Sequence, residues 1–125
     1  MTTPSPDLFR NVHKGIRKAL SEACLALGRA DDPASEQASR ALLGTALHFV
    51  AHHGENEDLL LLPLLEAHAP ALVEAMNAEH RVLHDAMARL EAARTSASAH
   101  ALYLEACAFT AAYLEHMRRE EQDYD

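Results

Sequence analysis

The sequence predicts an all-α protein, an up-down-up-down antiparallel four-helix bundle, and three observations carry that expectation. Apolar residues make up 49% of the 125 positions, yet aromatics reach only 5% and Trp is absent, so a core must be built mainly from Leu and Ala. That is a helical composition, with too few β-branched residues for a sheet. Apolar side chains recur at steps of three and four in four separate segments, and only short turn signals separate those segments.

The first helix is expected over roughly 6–28. Ser5 suits the N-cap, Pro6 the first helical position, and Asp7 the positive helix end. Phe9, Val12, Ile16, Leu20, Ala23 and Leu27 form its apolar stripe, His13 lies at the stripe's edge, and Gly28 suits the C-terminal cap. Asp31-Asp32-Pro33 opens a second helix, roughly 33–67, capped by Asp32 or Ser35. Its stripe reads Leu42, Ala46, Phe49, His53, Glu57, Leu60 and Leu64, with Pro63 expected to kink or restart the helix. After the break at His68-Ala69-Pro70, a third helix over roughly 71–94 carries Leu72, Met76, His80, Leu83, His84, Met87 and Leu90 on one face. Thr95 to Ser98 is the last loop. The fourth helix, roughly 98–122, lines up Leu102, Ala106, Phe109, Tyr113, His116 and Glu120, with Glu121 off that line.

A chain of this length is read as one domain, 1–125, with a single core. A net charge of −8 argues against a nucleic-acid partner, which wants a basic face. No apolar run approaches a membrane span and the N-terminus lacks a signal-peptide pattern, so a cytoplasmic location is expected. Cys24 and Cys107 have no CxxC spacing and read as small buried residues with free thiols. Leu59 to Leu65 is apolar almost all round, which suggests burial on several sides or a surface for a protein partner or self-association.

The chemistry lies in the polar residues on the apolar stripes. His53…Glu57, His80…His84 and His116…Glu120 are each four apart, so each pair projects from one helix face about a turn apart. Isolated charged groups at core positions would be costly. Counting outward from the turn at 68–70 sets Glu57 level with about His80 and His53 with about His84. The same count across the other two turns leaves His13 and His116 about one turn off that level, and His48 competes with His53 for the level of His13. Collected together, His13, His53, Glu57, His80, His84, His116 and Glu120 make a sulfur-free pocket of nitrogen and oxygen donors. It is too large for one tetrahedral zinc and too rich in histidine for magnesium or calcium. Two redox-capable first-row ions bridged by the two carboxylates fit the count, and metal would then sit in the bundle core.

The chain resembles the hemerythrin-like, histidine–histidine–glutamate (HHE) cation-binding domains, in their bacterial form. The resemblance rests on His13-Lys14-Gly15-Ile16-Arg17, on His53-x-x-x-Glu57-Asp58 with Pro63 behind it, on Glu79-His80-x-x-x-His84, and on His116-x-x-x-Glu120-Glu121. It implies two iron ions in an oxo- or hydroxo-bridged centre. His80, His84 and His116 would hold one iron and His13 and His53 the other, with Glu57 and Glu120 bridging. The oxygen-carrying members use His-x-x-x-x-Asp on the last helix, whereas here the nearest carboxylates are Glu120 and Glu121.

The function so implied is a non-haem di-iron protein that binds dioxygen for sensing, storage or delivery. Phe49, Leu83 and Phe109 would then limit water. The alternative is a di-iron enzyme or sensor reacting with peroxide, nitric oxide or a small oxidisable substrate, for which Tyr113 and His52 are the candidate proton donors. A metal-responsive regulatory domain docking through Leu59 to Leu65 is a third reading. His48 and His52 are expected to be exposed or to support the ligands by hydrogen bonds, and His68 and His100 to be solvated.

Overall fold

The structure, a computed structural model, describes the backbone of residues 6–123 and the side chains of residues 10–122. The Ser5 cap and the side chains of Asp7 and Phe9 lie outside those residues. The chain forms α1 (Pro6–Arg29), α2 (Pro33–Asn56), a π-helical turn (Glu57–Leu61), α3 (Leu62–Glu66), α4 (Pro70–Ser96) and α5 (Ala99–Asp123). Because α2, the π turn and α3 run on with helical backbone throughout, the molecule is a four-helix bundle. No strand occurs among the described residues.

Cross-helix pairs establish the topology. His13 meets His53 and Gly15 faces Phe49, so α1 runs antiparallel to α2. Arg17 reaches Glu121 and Cys24 reaches Thr110, so α1 also runs antiparallel to α5. Arg40 reaches Ala97 and Glu79 reaches His116, which makes α4 antiparallel to both α2 and α5. The helices therefore alternate in direction round a square, as the short connections require.

Local chemistry explains the ends. Asp32 caps α2 by accepting from the Ser35 N–H at 2.7 Å, and the Ser35 hydroxyl accepts in return from the Asp32 N–H at 3.2 Å. At the far end of α4 the Arg40 guanidinium donates to the carbonyls of Arg94 and Ala97 at 2.7 and 2.9 Å, groups that otherwise lack helical partners. Gly28 does not cap α1 as its sequence position suggested, since the helix runs one residue past it and no glycine has a positive φ. A Cβ there would stand 2.9 Å from the Tyr103 ring, so glycine permits the close approach of α1 and α5.

Pro63 accounts for the π turn. Its ring would clash with the Leu59 carbonyl in an unbroken α-helix. The backbone widens instead, and the Leu62 N–H donates to Glu57 O five residues back. Such single wide turns frequently mark functional sites. This one begins at Glu57.

The core is built from Ile16, Leu20, Leu43, Leu47, Leu90, Leu102, Phe109 and Met117, among others, each at most 5% exposed. The α5 stripe is buried as expected, from Leu102 through Glu120. The α2 stripe is not. Leu42 and Phe49 are 39% and 40% exposed, while Leu43, Ala46, Leu47, Val50, His53 and Glu57 are buried. Leu42-Leu43 and Phe49-Val50 each offer an apolar side chain to either of two faces about 100° apart, and packing against α1 and α4 selects the second. Leu59 and Leu60 stand 72% and 67% exposed on the π turn, whereas Leu62 is buried. Both cysteines are half-buried free thiols, and burial pushes the Cys24 thiol up. No helix of the described residues is long and apolar enough to cross a membrane.

Candidate metal centre

The buried polar residues of this core are not scattered. His13 on α1, His53 on α2, Glu57 at the start of the π turn, and His116 and Glu120 on α5 are all buried, and His80 on α4 is nearly so. They fall into two groups, His13/His53/Glu57/Glu120 and Glu57/His80/His116/Glu120, each offering donor atoms within 4.8 Å of one another. Both carboxylates belong to both groups.

The rings present the same edge inward. His53 Nε2 lies 3.3 Å from Glu57 Oε1, and His80 Nε2 lies 3.8 Å from that oxygen and 3.6 Å from Glu120 Oε2. His13 Nε2 and His116 Nε2 lie 3.4 and 3.3 Å from Glu120 Oε1. His13 and His53 also approach each other, Nε2 to Nε2, at 3.1 Å. The outer ring nitrogens meet other acids. His80 Nδ1 is 2.9 Å from Asp58 Oδ1, His116 Nδ1 is 2.9 Å from Glu79 Oε1, and His13 Nδ1 is 3.3 Å from Glu121 Oε2. Arg17 in turn clasps both oxygens of Glu121, and Arg119 Nη1 lies 3.4 Å from Glu79 Oε2.

Electrostatics here are those of charges taken out of water. Burial, then the neighbouring Glu120, raises Glu57 far above the carboxylate range. Burial acts on Glu120 in the same sense, but the facing imidazoles of His116, His13 and His80 overcome it and hold that carboxylate well below the usual range. Burial, then the nearby His13, lowers His53 to about 4. His80 is also pulled down by burial, but Glu120 and Asp58 more than offset this and leave it raised. Burial keeps the Tyr113 phenol protonated far into the alkaline range, with Glu57 and Glu120 adding to the effect.

Whether a cation fits can be judged from the hydrogen bonding. Both oxygens of Glu57, both of Glu120, and Nε2 of His80 and of His116 are buried without a hydrogen-bond partner. Leaving such atoms unsatisfied costs about 1–3 kcal/mol each, more for charged groups. Cations between them satisfy carboxylate oxygens and imidazole lone pairs together, and the donor set is nitrogen and oxygen only, as first-row divalent ions accept. The residues present fit such ions.

Of the seven residues that the sequence singled out, the structure brings six together; His84 belongs to neither group and is exposed. The expected buried face of α4 is corrected accordingly. Leu83 takes the inward position between Met76 and Leu90, which turns its neighbour His84 about 100° away. His84 still borders a cavity of about 430 Å³ whose wall includes Leu83, Phe109, Tyr113, His80, His116 and Glu57. Phe49 does not line it, being outward-facing over Gly15. His13 pairs with His53 and not with exposed His48. Side chains lean toward the N-terminus of their own helix, and this absorbs part of the one-turn offset that counting from the loop suggests. His48, His52, His68 and His100 are all exposed.

Asp58, Glu79 and Glu121 were missed as contributors. A signal was present, because each is an acidic residue directly adjacent in sequence to a cluster residue: Glu57-Asp58, Glu79-His80 and Glu120-Glu121.

A family model described as Hemerythrin HHE cation binding domain matches residues 5–124. Comparison with curated proteins and with solved structures returns no match.

Proposed function

This chain belongs to the hemerythrin HHE cation-binding family, and on that premise we propose that it is a non-haem di-iron protein that binds dioxygen for sensing, storage or delivery. One observation supports the reading above the others: two four-residue donor groups share both Glu57 and Glu120. In that reading His13 and His53 would hold one ion and His80 and His116 the other, with Glu57 and Glu120 available to both. His84, one turn along α4 and on the wall of the same cavity, would be the further ligand available to the second ion. Two ferrous ions bound there would supply a pair of electrons to dioxygen.

The rest is the work of this chain's side chains. Leu83 and Phe109 form an apolar wall that keeps bulk water from the cavity floor. The Tyr113 phenol, 4% exposed and in that wall, stays protonated and serves as a hydrogen-bond donor to a ligand in the cavity. A second reading has a specific observation in its favour. A cavity of about 430 Å³ exceeds the needs of a diatomic ligand and lies in the range that small organic molecules occupy. A di-iron enzyme or sensor that acts on peroxide, nitric oxide or a small oxidisable substrate would use the same cavity, with Tyr113 as proton donor. We also propose that exposed Leu59, Leu60 and Leu64 offer a surface for a protein partner or for self-association.

The test is metal analysis of protein from iron-supplemented cells, then mixing of the reduced protein with oxygen. About two irons per chain and an adduct that releases oxygen under vacuum support the first reading. Irreversible oxidation on mixing supports the second. A single tightly held zinc without iron overturns both.

A further inference from the structure

Three of the four clustered imidazoles have an acid behind them. Asp58 faces His80, Glu79 faces His116 and Glu121 faces His13, in every case at Nδ1, while Nε2 of the same ring faces Glu57 or Glu120. Asp58 and Glu79 hydrogen-bond their rings at 2.9 Å, and Glu121 stands 3.3 Å from His13 Nδ1 as an ion-pair contact. A neutral imidazole carries one proton, so a carboxylate accepting at Nδ1 leaves the Nε2 lone pair pointing into the cluster. The acids come from three different elements, the π turn, α4 and α5, so one accident of packing does not account for them. Two are fixed in turn, Glu121 by Arg17 and Glu79 by Arg119.

Resting on the di-iron reading above, we propose that Asp58, Glu79 and Glu121 are positioning residues. Each fixes the tautomer and ring orientation of one metal-ligating histidine and makes that ring a stronger donor. The widened backbone at Glu57–Leu61 carries a carboxylate for the cluster at Glu57 and, at the next residue, the acid that holds His80. Arg17 and Arg119 neutralise two of the acids from the solvent side, which limits the repulsion between them and the cluster carboxylates.

The experiment compares ferrous-iron affinity, by anaerobic competition with a chelator, in wild type, Asp58→Asn, Glu79→Gln and Glu121→Gln. The exposed Glu22→Gln serves as control. Removing such outer partners typically lowers metal affinity about 10–100-fold. That loss is expected in the three variants and not in the control, with the melting temperature of the metal-free protein nearly unchanged for Asp58→Asn, whose side chain is 53% exposed. A purely structural role would not move the reduction potential in a set direction. Here the potential of the iron-loaded variants should shift upward, because a less basic imidazole stabilises the ferric state less. Affinities and potentials equal to wild type in all three variants would overturn the proposal and leave the di-iron reading standing. A wild-type chain that takes up no ferrous iron would overturn both.

Discussion

In the metal-free protein the buried His53 imidazole should cost stability in mild acid, and its magnitude can be worked. Its folded-state pKa is lowered by burial and by His13 from 6.5 to about 4. Between those values the unfolded chain binds a proton at this site that the folded chain refuses. The contribution is therefore fully present above 6.5 and is lost as pH falls toward 4. That difference corresponds to about 3 kcal/mol in full, of which about 2 kcal/mol is gone by pH 5. His80 works the other way. Its pKa is raised, so its contribution is present below 6.5 and is lost as pH rises through the folded value. Glu57, raised further still, works in the same sense as His80, so the wild-type profile alone mixes opposite slopes from several groups. Comparison with His53→Leu, which keeps the volume and removes the titration, isolates that of His53. Urea unfolding of chelator-treated protein, followed by far-ultraviolet circular dichroism at pH 8 and pH 5, gives the four free energies needed. The stability of wild type relative to His53→Leu should fall by about 2 kcal/mol on going from pH 8 to pH 5. Parallel behaviour of the two proteins, within about 0.5 kcal/mol, would refute the claim that this imidazole is held neutral by burial.

Further outcomes follow from the same geometry. Glu57→Ala should leave no more than one firmly held iron by elemental analysis, because that carboxylate belongs to both donor groups. His84→Ala should lower iron content without changing the melting temperature of the metal-free protein, since the side chain is exposed, whereas His48→Ala and His52→Ala should keep the iron. Leu20→Ala, at a position 0% exposed in the centre of the core, should cost about 2–5 kcal/mol in urea unfolding. Gly54→Ala should stabilise the metal-free protein by about 0.5–1 kcal/mol, because a Cβ there meets nothing within 4 Å and alanine is the better helix former.

The sequence alone determined the bundle, since Leu- and Ala-rich stripes at helical spacing, separated by capped turns, leave an antiparallel arrangement as the way to bury four apolar faces. It also marked the cluster, because a histidine or glutamate four residues from another on an apolar stripe is too costly to bury without a partner. On α5 the face read from the stripe is the buried one from Leu102 to Glu120, with Met117 buried beside it. On α2 and α4 it was not. Leu42 beside Leu43, Phe49 beside Val50 and Leu83 beside His84 each offer two faces of similar merit to a helix in isolation, and only contact with the neighbouring helices separates them. Tertiary structure likewise decided that His13 meets His53, because the offset between two antiparallel helices depends on tilt and side-chain lean and not on loop length alone. It decided the service of Asp58, Glu79 and Glu121 for the same reason. An acid one position from a ligand points about 100° away from it on its own helix, so what it reaches is set by the helix packed alongside, and that neighbour is a product of the whole fold.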